Sequence, residues 1–310
     1  MRWVDVDERG DGQRIDNFLL RLCPGVPRTR LYRALRKGEI RVNKGRAKPR
    51  QRLRLGDRVR LPPLETAAAP PPAVAPAGWR ERIAAGIVHQ DEQLIALCKP
   101  AGLAVHGGSG LDFGLIETLR AMYPGERFLE LVHRLDRETS GLILIARRPA
   151  ALRELHALLG RRGGVDKRYL ALACGRWPGA LREVEAPLEK VVLRSGERRV
   201  RVARSGKPSL TAFRVLRRFP GSSLLEARPI TGRTHQIRVH ARHAGHPLIG
   251  DERYEDAQSR ELTGQLAARR LVLHAQRLRF RLGERSYDLE APPDAELAAL
   301  MERAAAAPAD

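Results

Sequence analysis

Cysteine is scarce in this chain of 310 residues, and the three cysteines present are widely separated. They lie at Cys23, Cys98 and Cys174 and form no C-x-x-C pair. A disulfide framework and a zinc site built from cysteine thiolates are therefore both disfavoured. Because scattered free cysteines fit a reducing compartment, we expect the protein to lie in the cytoplasm.

Long apolar runs and nucleotide-binding motifs are missing as well. No stretch approaches the roughly 20 apolar residues that span a bilayer, and the first ten residues contain no apolar signal core. We therefore expect neither membrane insertion nor secretion. The chain has no G-x-x-x-x-G-K-[ST] loop and no strand–G-x-G-x-x-G–helix unit, so we expect no nucleotide cofactor. The glycine-rich segment 106–110 is better interpreted as a turn than as a phosphate-binding loop.

Acidic residues are outnumbered, with 36 Asp and Glu against 57 Lys and Arg, which gives a net charge of +21. Over half of this excess lies between Arg28 and Arg60, where fourteen basic residues occur with only two acidic ones. A basic run is usually a solvated surface, but self-repulsion at this density calls for a counter-charge. We therefore favour a polyanionic partner, most simply a nucleic acid.

Residues 12–62 have the pattern of a compact basic module. Apolar residues recur at helical spacing from Ile15 to Leu22, and Thr29 can cap a second helix that ends at Gly38. Alternating segments then predict short strands at 39–43, 53–55 and 58–61. Two helices followed by a small basic sheet suit an RNA backbone better than a helix-turn-helix DNA reader. The candidate RNA contacts are Arg28, Arg30, Arg33, Arg36, Lys37, Arg41 and Lys44.

The rest of the chain divides into three predicted segments. Residues 63–82 are rich in alanine and proline and contain too few bulky apolar side chains to build a core, which predicts a linker. Residues 83–293 mix strand and helix patterns without regular alternation, so we predict an α+β domain with a mixed sheet. Residues 294–310 are expected to form a short helix and a tail.

One stretch with candidate chemistry, residues 231–245, contains a cluster of histidines. A metal site is disfavoured because arginines are interleaved with these histidines and no anionic ligand lies among them. The spacing predicts a helix that Thr234 caps and Gly245 ends. Such a helix either exposes a cationic side to solvent or directs Arg238 at an anion in a cleft, and the spacing alone leaves both readings open.

The second stretch surrounds Asp136, which lies between Arg134 and Arg137 on a loop between apolar segments. An aspartate in such a loop often only caps the turn backbone. Alternatively, the two arginines keep the carboxylate ionised, and an ionised carboxylate can act as a nucleophile or a base.

Taken in order, several segments resemble motifs of the RluA family of RNA pseudouridine synthases. His133–Leu142 resembles the first motif, and Lys167–Ala171 resembles the second. The third region is represented by 228–240 and 245–251, and 271–275 resembles a late element that lines the uracil pocket. The module at 12–62 resembles an S4 RNA-binding domain. Within the family, the chain is most similar to members that modify large-subunit ribosomal RNA.

This resemblance implies the isomerisation of uridine to pseudouridine in 23S rRNA, on a mixed, mainly antiparallel sheet and without cofactor or metal. It assigns catalysis to Asp136, with Arg238 as its ion-pair partner and Tyr169 stacked on the uracil. Arg134 would fill the gap left by the flipped nucleotide, and Leu273 would line the uracil pocket. Attack at C1′, addition to C6 and removal of a sugar proton all remain open for Asp136.

The expected partner is 23S rRNA or a pre-ribosomal large-subunit particle, bound by a monomer. Two rival interpretations remain: a synthase for other rRNA or tRNA uridines, and a non-catalytic RNA-binding assembly factor. The second rival predicts loss of the catalytic side chains, whereas Asp136, Tyr169 and Arg238 are all present.

Overall fold

The computed structural model describes residues 1–23, 25–64, 75–107, 113–193 and 195–307. Within these residues the helices are Ile15–Leu22 (α1), Arg28–Lys37 (α2), Ala77–Ala85 (α3), Leu115–Met122 (α4), Pro149–Gly160 (α5), Gln236–His243 (α6), Ala257–Gln265 (α7) and Ala295–Ala306 (α8). The strands are Arg2–Asp5 (β1), Arg41–Val42 (β2), Gly45–Arg46 (β3), Arg58–Leu61 (β4), Ile87–Gln90 (β5), Leu94–Lys99 (β6), Glu130–Leu131 (β7), Ser140–Ala146 (β8), Val165–Cys174 (β9), Glu183–Glu185 (β10), Leu188–Val192 (β11), Arg198–Val202 (β12), Leu210–Phe219 (β13), Ser222–Pro229 (β14), Leu273–Leu282 (β15) and Arg285–Glu290 (β16).

The N-terminal part packs α1 and α2 on a four-stranded sheet of order β1-β4-β2-β3. Leu31, Ala34 and Leu35 form the buried side of α2, while its arginines remain on the outer side. The helix ends at Gly38, whose φ of 72° lies in the left-handed region that glycine adopts without steric cost. The sheet also includes β1, which precedes the segment 12–62.

The second part is built on a ten-stranded sheet with the path β10-β13-β14-β9-β15-β8-β6-β5, to which β16 and β7 attach at the side. Every pair in this sheet is antiparallel except β8 with β15. The α+β class and the mixed, mainly antiparallel sheet are therefore confirmed. Apolar clusters cover both sides of the central strands.

Strand β8 lies at the centre of this sheet, and all seven of its residues are buried, as its continuous apolar run predicts. Gly141 permits the parallel pairing with β15. A Cβ atom at this position would lie 2.3 Å from the carbonyl oxygen of Ala275, and φ is 104°. Only glycine therefore allows the two strands to approach here, immediately after the loop that carries Asp136.

Several local predictions are confirmed and others are corrected. The helix at 15–22 and the strand at 58–61 occur as expected. Thr29 does not cap α2, because the helix begins at Arg28 after Pro27. No strand forms at 53–55, where the chain makes only an isolated bridge between Arg52 and Arg14.

The predicted linker and the glycine-rich turn are described only in part. Helix α3 begins at Ala77, inside the segment 63–82, whereas 65–74 lie outside the described residues, as does part of the glycine-rich turn at 106–110. Among the described residues, no helix has the length and apolar character needed to cross a membrane.

Candidate active site

Asp136 lies on the loop between β7 and β8, and the buried side chain of Lys99 supports this loop from below. The Lys99 ammonium donates hydrogen bonds to the carbonyl oxygens of Pro100, Leu103 and Arg137 at 2.9, 2.9 and 3.0 Å. Burial lowers the pKa of Lys99 to about 7. The bond to Arg137 holds the backbone beside Asp136 and ties it to the segment that follows β6, where Lys99 makes its other two bonds.

Arg238 projects from α6 and contacts two carboxylates. Its Nε and Nη2 donate to Asp251 at 2.7 and 2.6 Å, and its Nη1 lies 3.4 Å from Oδ2 of Asp136. Although burial alone would lower it, the pKa of Arg238 is raised by the hydrogen bonds and charge of Asp251. Asp251 is fully buried, whereas the Asp136 side chain is 20% exposed. The guanidinium is therefore fixed by one aspartate and directed at the other.

Helix α6 begins one residue later than the sequence predicted, and Thr234 is not its cap. The N-cap position is His235, in the left-handed conformation with φ of 53°. This backbone turn brings Nε2 of His235 to 3.6 Å from Oδ2 of Asp136, while Nδ1 lies 2.7 Å from the hydroxyl of Tyr254. The interpretation of α6 as a solvent-exposed cationic helix is therefore wrong for Arg238, which is 5% exposed.

A cavity of about 320 Å³ opens beside Asp136. Tyr169 on β9 and Leu273 on β15 line it from adjacent strands, in which Tyr169 is opposite Ala275 and Leu273 is opposite Ala171. Burial, together with the charge of Asp136, raises the pKa of Tyr169, so the phenol stays neutral. The cavity thus combines an apolar wall, an aromatic ring and a carboxylate.

Arg134 and Lys167 both line this cavity, but their environments differ. Arg134 is exposed and lines the cavity beside Asp136. Lys167 precedes Tyr169 by two residues on β9, so both side chains point to the same side of the strand. Burial lowers the pKa of Lys167.

Five residues at the site received no role from the sequence. They are Lys99, His133, Lys167, His235 and Asp251. Asp251 offered one signal, since it is an acid that follows the apolar run Leu248–Gly250 in a strongly basic region. His133 is held by the backbone N–H of Leu144, which donates to its Nε2 at 3.2 Å, and burial lowers its pKa to about 4.

The basic residues predicted to contact RNA lie mainly on the outer side of α2. Arg28, Arg33 and Arg36 line one shallow surface depression together with Tyr32. Lys37 and Lys44 are exposed, Arg30 pairs with Glu39 at 3.1 Å, and Arg41 donates to the carbonyl of Gly38 at 3.1 Å. Arg28, Arg33 and Arg36 therefore form one cationic surface on α2.

No group of three or more His, Cys, Asp or Glu side chains among the described residues is arranged to hold a metal ion. The two histidines of α6, His240 and His243, lie in different environments. His240 is buried and bonds to Ser209 and to the Ala186 carbonyl, whereas His243 is exposed.

Comparison with known proteins identifies two domains. Residues 93–243 match the family model of RNA pseudouridylate synthases, and residues 13–59 match the S4 domain. The chain is 51% identical over 282 residues to ribosomal large subunit pseudouridine synthase C of Escherichia coli (strain K12), which covers 89% of this chain and 87% of that protein. The protein of the same name from Pasteurella multocida (strain Pm70) is 48% identical over 301 residues, covering 96% and 92%.

Solved structures show the same fold. Human RNA pseudouridylate synthase domain containing 4 superposes with a TM-score of 0.60 at 26% identity, over 72% of this chain and 94% of that one. Human RNA pseudouridylate synthase domain containing 1 gives a TM-score of 0.57 at 28% identity, over 67% and 83%. Sequence and fold together therefore make this chain a member of the RNA pseudouridylate synthase family.

Proposed function

We propose that this protein converts specific uridines of 23S ribosomal RNA into pseudouridine. The main support is the cavity in which Asp136, Tyr169, Arg238 and Leu273 meet in a member of the RNA pseudouridylate synthase family. The choice of large-subunit rRNA is supported by two relatives, about half identical, that are both named ribosomal large subunit pseudouridine synthase C. The N-terminal S4 domain agrees with an RNA substrate.

The proposed reaction is an isomerisation that needs no oxidant and no external group. The bond between N1 of uracil and C1′ of ribose breaks, the base turns, and C5 bonds to C1′. The proton on C5 leaves, and N1 acquires one. Small-molecule sites usually measure about 300–1,000 Å³, so a cavity of about 320 Å³ suits one flipped nucleoside.

We assign the chemistry to Asp136, whose carboxylate borders the cavity. It acts at C1′, at C6 of the base or on a sugar proton, with Arg238 orienting it and stabilising its charge. Preorganised charge of this kind is commonly worth about 3–4 kcal/mol of barrier. Tyr169 stacks on the uracil, Leu273 lines the base pocket, and Arg134 occupies the position vacated by the flipped nucleotide.

We assign RNA anchoring to residues 12–62 and catalysis to 83–293, joined by the linker 63–82 and followed by 294–310. The exposed cations of α2 neutralise phosphates and carry little sequence information of their own. The substrate is free rRNA or a pre-ribosomal large-subunit particle, and the enzyme acts as a monomer in the cytoplasm without a cofactor.

Asp136→Asn tests the catalytic assignment. The variant is expected to keep the fold and the RNA affinity but to form no pseudouridine, because the amide can neither attack nor accept a proton. Asp288→Asn is the matched control, since Asp288 also lies between two arginines, Arg277 and Arg279, but on the surface. Product formation by Asp136→Asn at the wild-type rate would contradict the mechanism.

Pseudouridine maps of rRNA and tRNA from cells with and without the protein test the substrate. We expect signals to disappear from 23S rRNA alone. Loss of tRNA or other rRNA signals instead would support the rival synthase specificity. No loss in any RNA, combined with retained rRNA binding, would support a non-catalytic assembly factor.

A further inference from the structure

His235 combines an unfavourable backbone conformation with a ring that is almost completely buried. Its φ of 53° lies in the left-handed region, which side chains with a Cβ atom rarely adopt. The side chain is only 10% exposed. Two of the other non-glycine residues with positive φ, Asn43 and Lys44, form the turn of a surface hairpin. His235, by contrast, adopts this conformation beside the catalytic carboxylate.

The hydrogen bonds around Tyr254 bear on which nitrogen of His235 carries the proton. The Tyr254 hydroxyl accepts a hydrogen bond from the backbone N–H of Val200 at 3.1 Å and lies 2.7 Å from Nδ1 of His235. Among the described residues, Nδ1 is the one acceptor within reach of the hydroxyl proton. A hydroxyl that accepts from Val200 and donates to Nδ1 leaves the ring hydrogen of a neutral imidazole on Nε2.

The charged groups around the ring agree with a neutral imidazole. Burial lowers the pKa of His235, and Arg238 and Arg253 lower it further, while Asp136 and Asp251 oppose them. Nε2 lies 3.6 Å from Oδ2 of Asp136, a separation that substrate binding can shorten into a hydrogen bond.

His235 and Arg238 approach the same oxygen of Asp136. Nε2 of His235 and Nη1 of Arg238 lie 3.6 and 3.4 Å from Oδ2. Within the described part of the chain, no hydrogen bond reaches Oδ1. Tyr254 supports both neighbours, because its ring lies against the Arg238 guanidinium at 5.1 Å while its hydroxyl bonds to His235.

We propose that His235 is a positioning residue, which donates from Nε2–H to Oδ2 of Asp136 while Tyr254 fixes its tautomer, so that Oδ1 is the oxygen presented to the flipped nucleotide. This inference rests on the proposed function. It gives His235 no role as a base, because Nδ1 is occupied and Nε2 carries a hydrogen.

A pair of substitutions at His235 tests this role. Leucine removes the donor, whereas glutamine retains an N–H near the position of Nε2, and both carry the same backbone cost. We expect His235→Leu to lower the single-turnover rate at saturating enzyme about 30-fold, less than the 10²–10³-fold typical of a donor that contacts the reacting oxygen. The dissociation constant for RNA should stay within about twofold, and His235→Gln should recover most of the rate. His243→Leu, on the exposed side of the same helix, should behave as wild type.

Tyr254→Phe tests the tautomer. This variant keeps the ring against Arg238 but loses the hydroxyl, so it should slow turnover about 10-fold. The double variant His235→Leu, Tyr254→Phe should be no slower than His235→Leu alone, because the hydroxyl acts through the imidazole.

Three outcomes would overturn the positioning role. They are a wild-type rate for His235→Leu, equal losses for the leucine and glutamine variants, and additive losses in the double variant. Wild-type enzyme and Asp136→Asn are measured alongside. If wild type modifies no RNA, or Asp136→Asn remains active, the proposed function fails; if those two behave as expected, only the role of His235 is at stake.

Discussion

Asp16 in the N-terminal domain and Asp136 in the catalytic domain are both aspartates beside arginine, yet only one leaves an oxygen available. Both oxygens of Asp16 accept hydrogen bonds, from Arg14, Tyr32 and the backbone N–H of Asn17. Although burial alone would raise it, the pKa of Asp16 is lowered by the bonds from Arg14 and Tyr32.

Asp136 differs from Asp16 in each of these respects. Its side chain is 20% exposed to the cavity, and its contacts with Arg238 and His235 are long and converge on Oδ2. A carboxylate whose acceptor positions are filled holds a fold together, whereas one with an unfilled oxygen at a cavity can react. An arginine neighbour therefore does not by itself distinguish Asp16, whose oxygens are all bonded, from Asp136, the proposed catalytic residue.

The largest effect is expected at Arg238, which forms a short, buried ion pair with Asp251 and a longer contact with Asp136. Arg238→Met should lower turnover about 10³-fold, because Asp136 loses its oriented cation. It also leaves Asp251 buried without its partner, which should reduce the free energy of unfolding by about 3–5 kcal/mol. Single-turnover kinetics and urea denaturation measure the two effects, and Arg277→Met, at a surface ion pair, serves as the control.

The double variant Arg238→Met, Asp251→Leu separates stability from catalysis. Replacing a buried ion pair by apolar residues is often neutral, so most of the lost stability should return while turnover does not. Recovery of both would mean that Arg238 acts only through the fold.

Acid should lower the free energy of unfolding of the catalytic domain relative to that of the N-terminal domain, and protonation of His133 alone should contribute up to about 3 kcal/mol. The pKa of His133 is lowered by burial to about 4, so between about pH 6.5 and 4 the unfolded chain binds more protons than the folded one. The catalytic domain therefore loses stability as the pH falls through this window, and the lowered pKa values of His240 and His274 act in the same direction.

The N-terminal domain should resist this acid step. Residues 1–64 contain no histidine, and the stabilisation from Asp16 is present above pH 3.8 and is lost only below it. Denaturation monitored separately in the two domains between pH 7 and 4 should show the catalytic domain weakening first, and His133→Gln should reduce that slope. Equal weakening of both domains would contradict the expectation.

Asp16→Asn should have a smaller effect than the changes above, and it should affect stability rather than turnover. Losing charge-assisted bonds from Arg14 should destabilise the N-terminal domain by about 1–3 kcal/mol. The single-turnover rate at saturating enzyme should not change, because Asp16 lies outside the cavity. A slower chemical step in this variant would mean that the two domains are coupled in catalysis.

Sequence reasoning predicted elements that depend on local pattern and missed contacts that depend on tertiary structure. The apolar run Leu142–Ala146 and the periodicity of Ile15–Leu22 reported their strand and helix directly. Spacing could not show that the shortest bonds of Arg238 go to Asp251, because that partner follows the end of α6. It also placed the helix cap at Thr234, since hydroxyl residues usually take that position, whereas His235 occupies it and the helix starts one residue later.

The smallest effect on stability is expected at the exposed cations of α2. Arg33→Gln and Arg36→Gln remove solvent-exposed side chains, so the free energy of unfolding should change by less than about 0.5 kcal/mol. If both side chains contact phosphates, the slope of log binding constant against log salt concentration should fall by about 0.7–0.9 for each. The single-turnover rate at saturating enzyme should stay the same, and Arg281→Gln, exposed at the far end of β15, should leave the slope unchanged. An unchanged slope in the α2 variants would mean that the RNA backbone binds elsewhere. The catalytic domain would then both anchor the RNA and carry the reacting site.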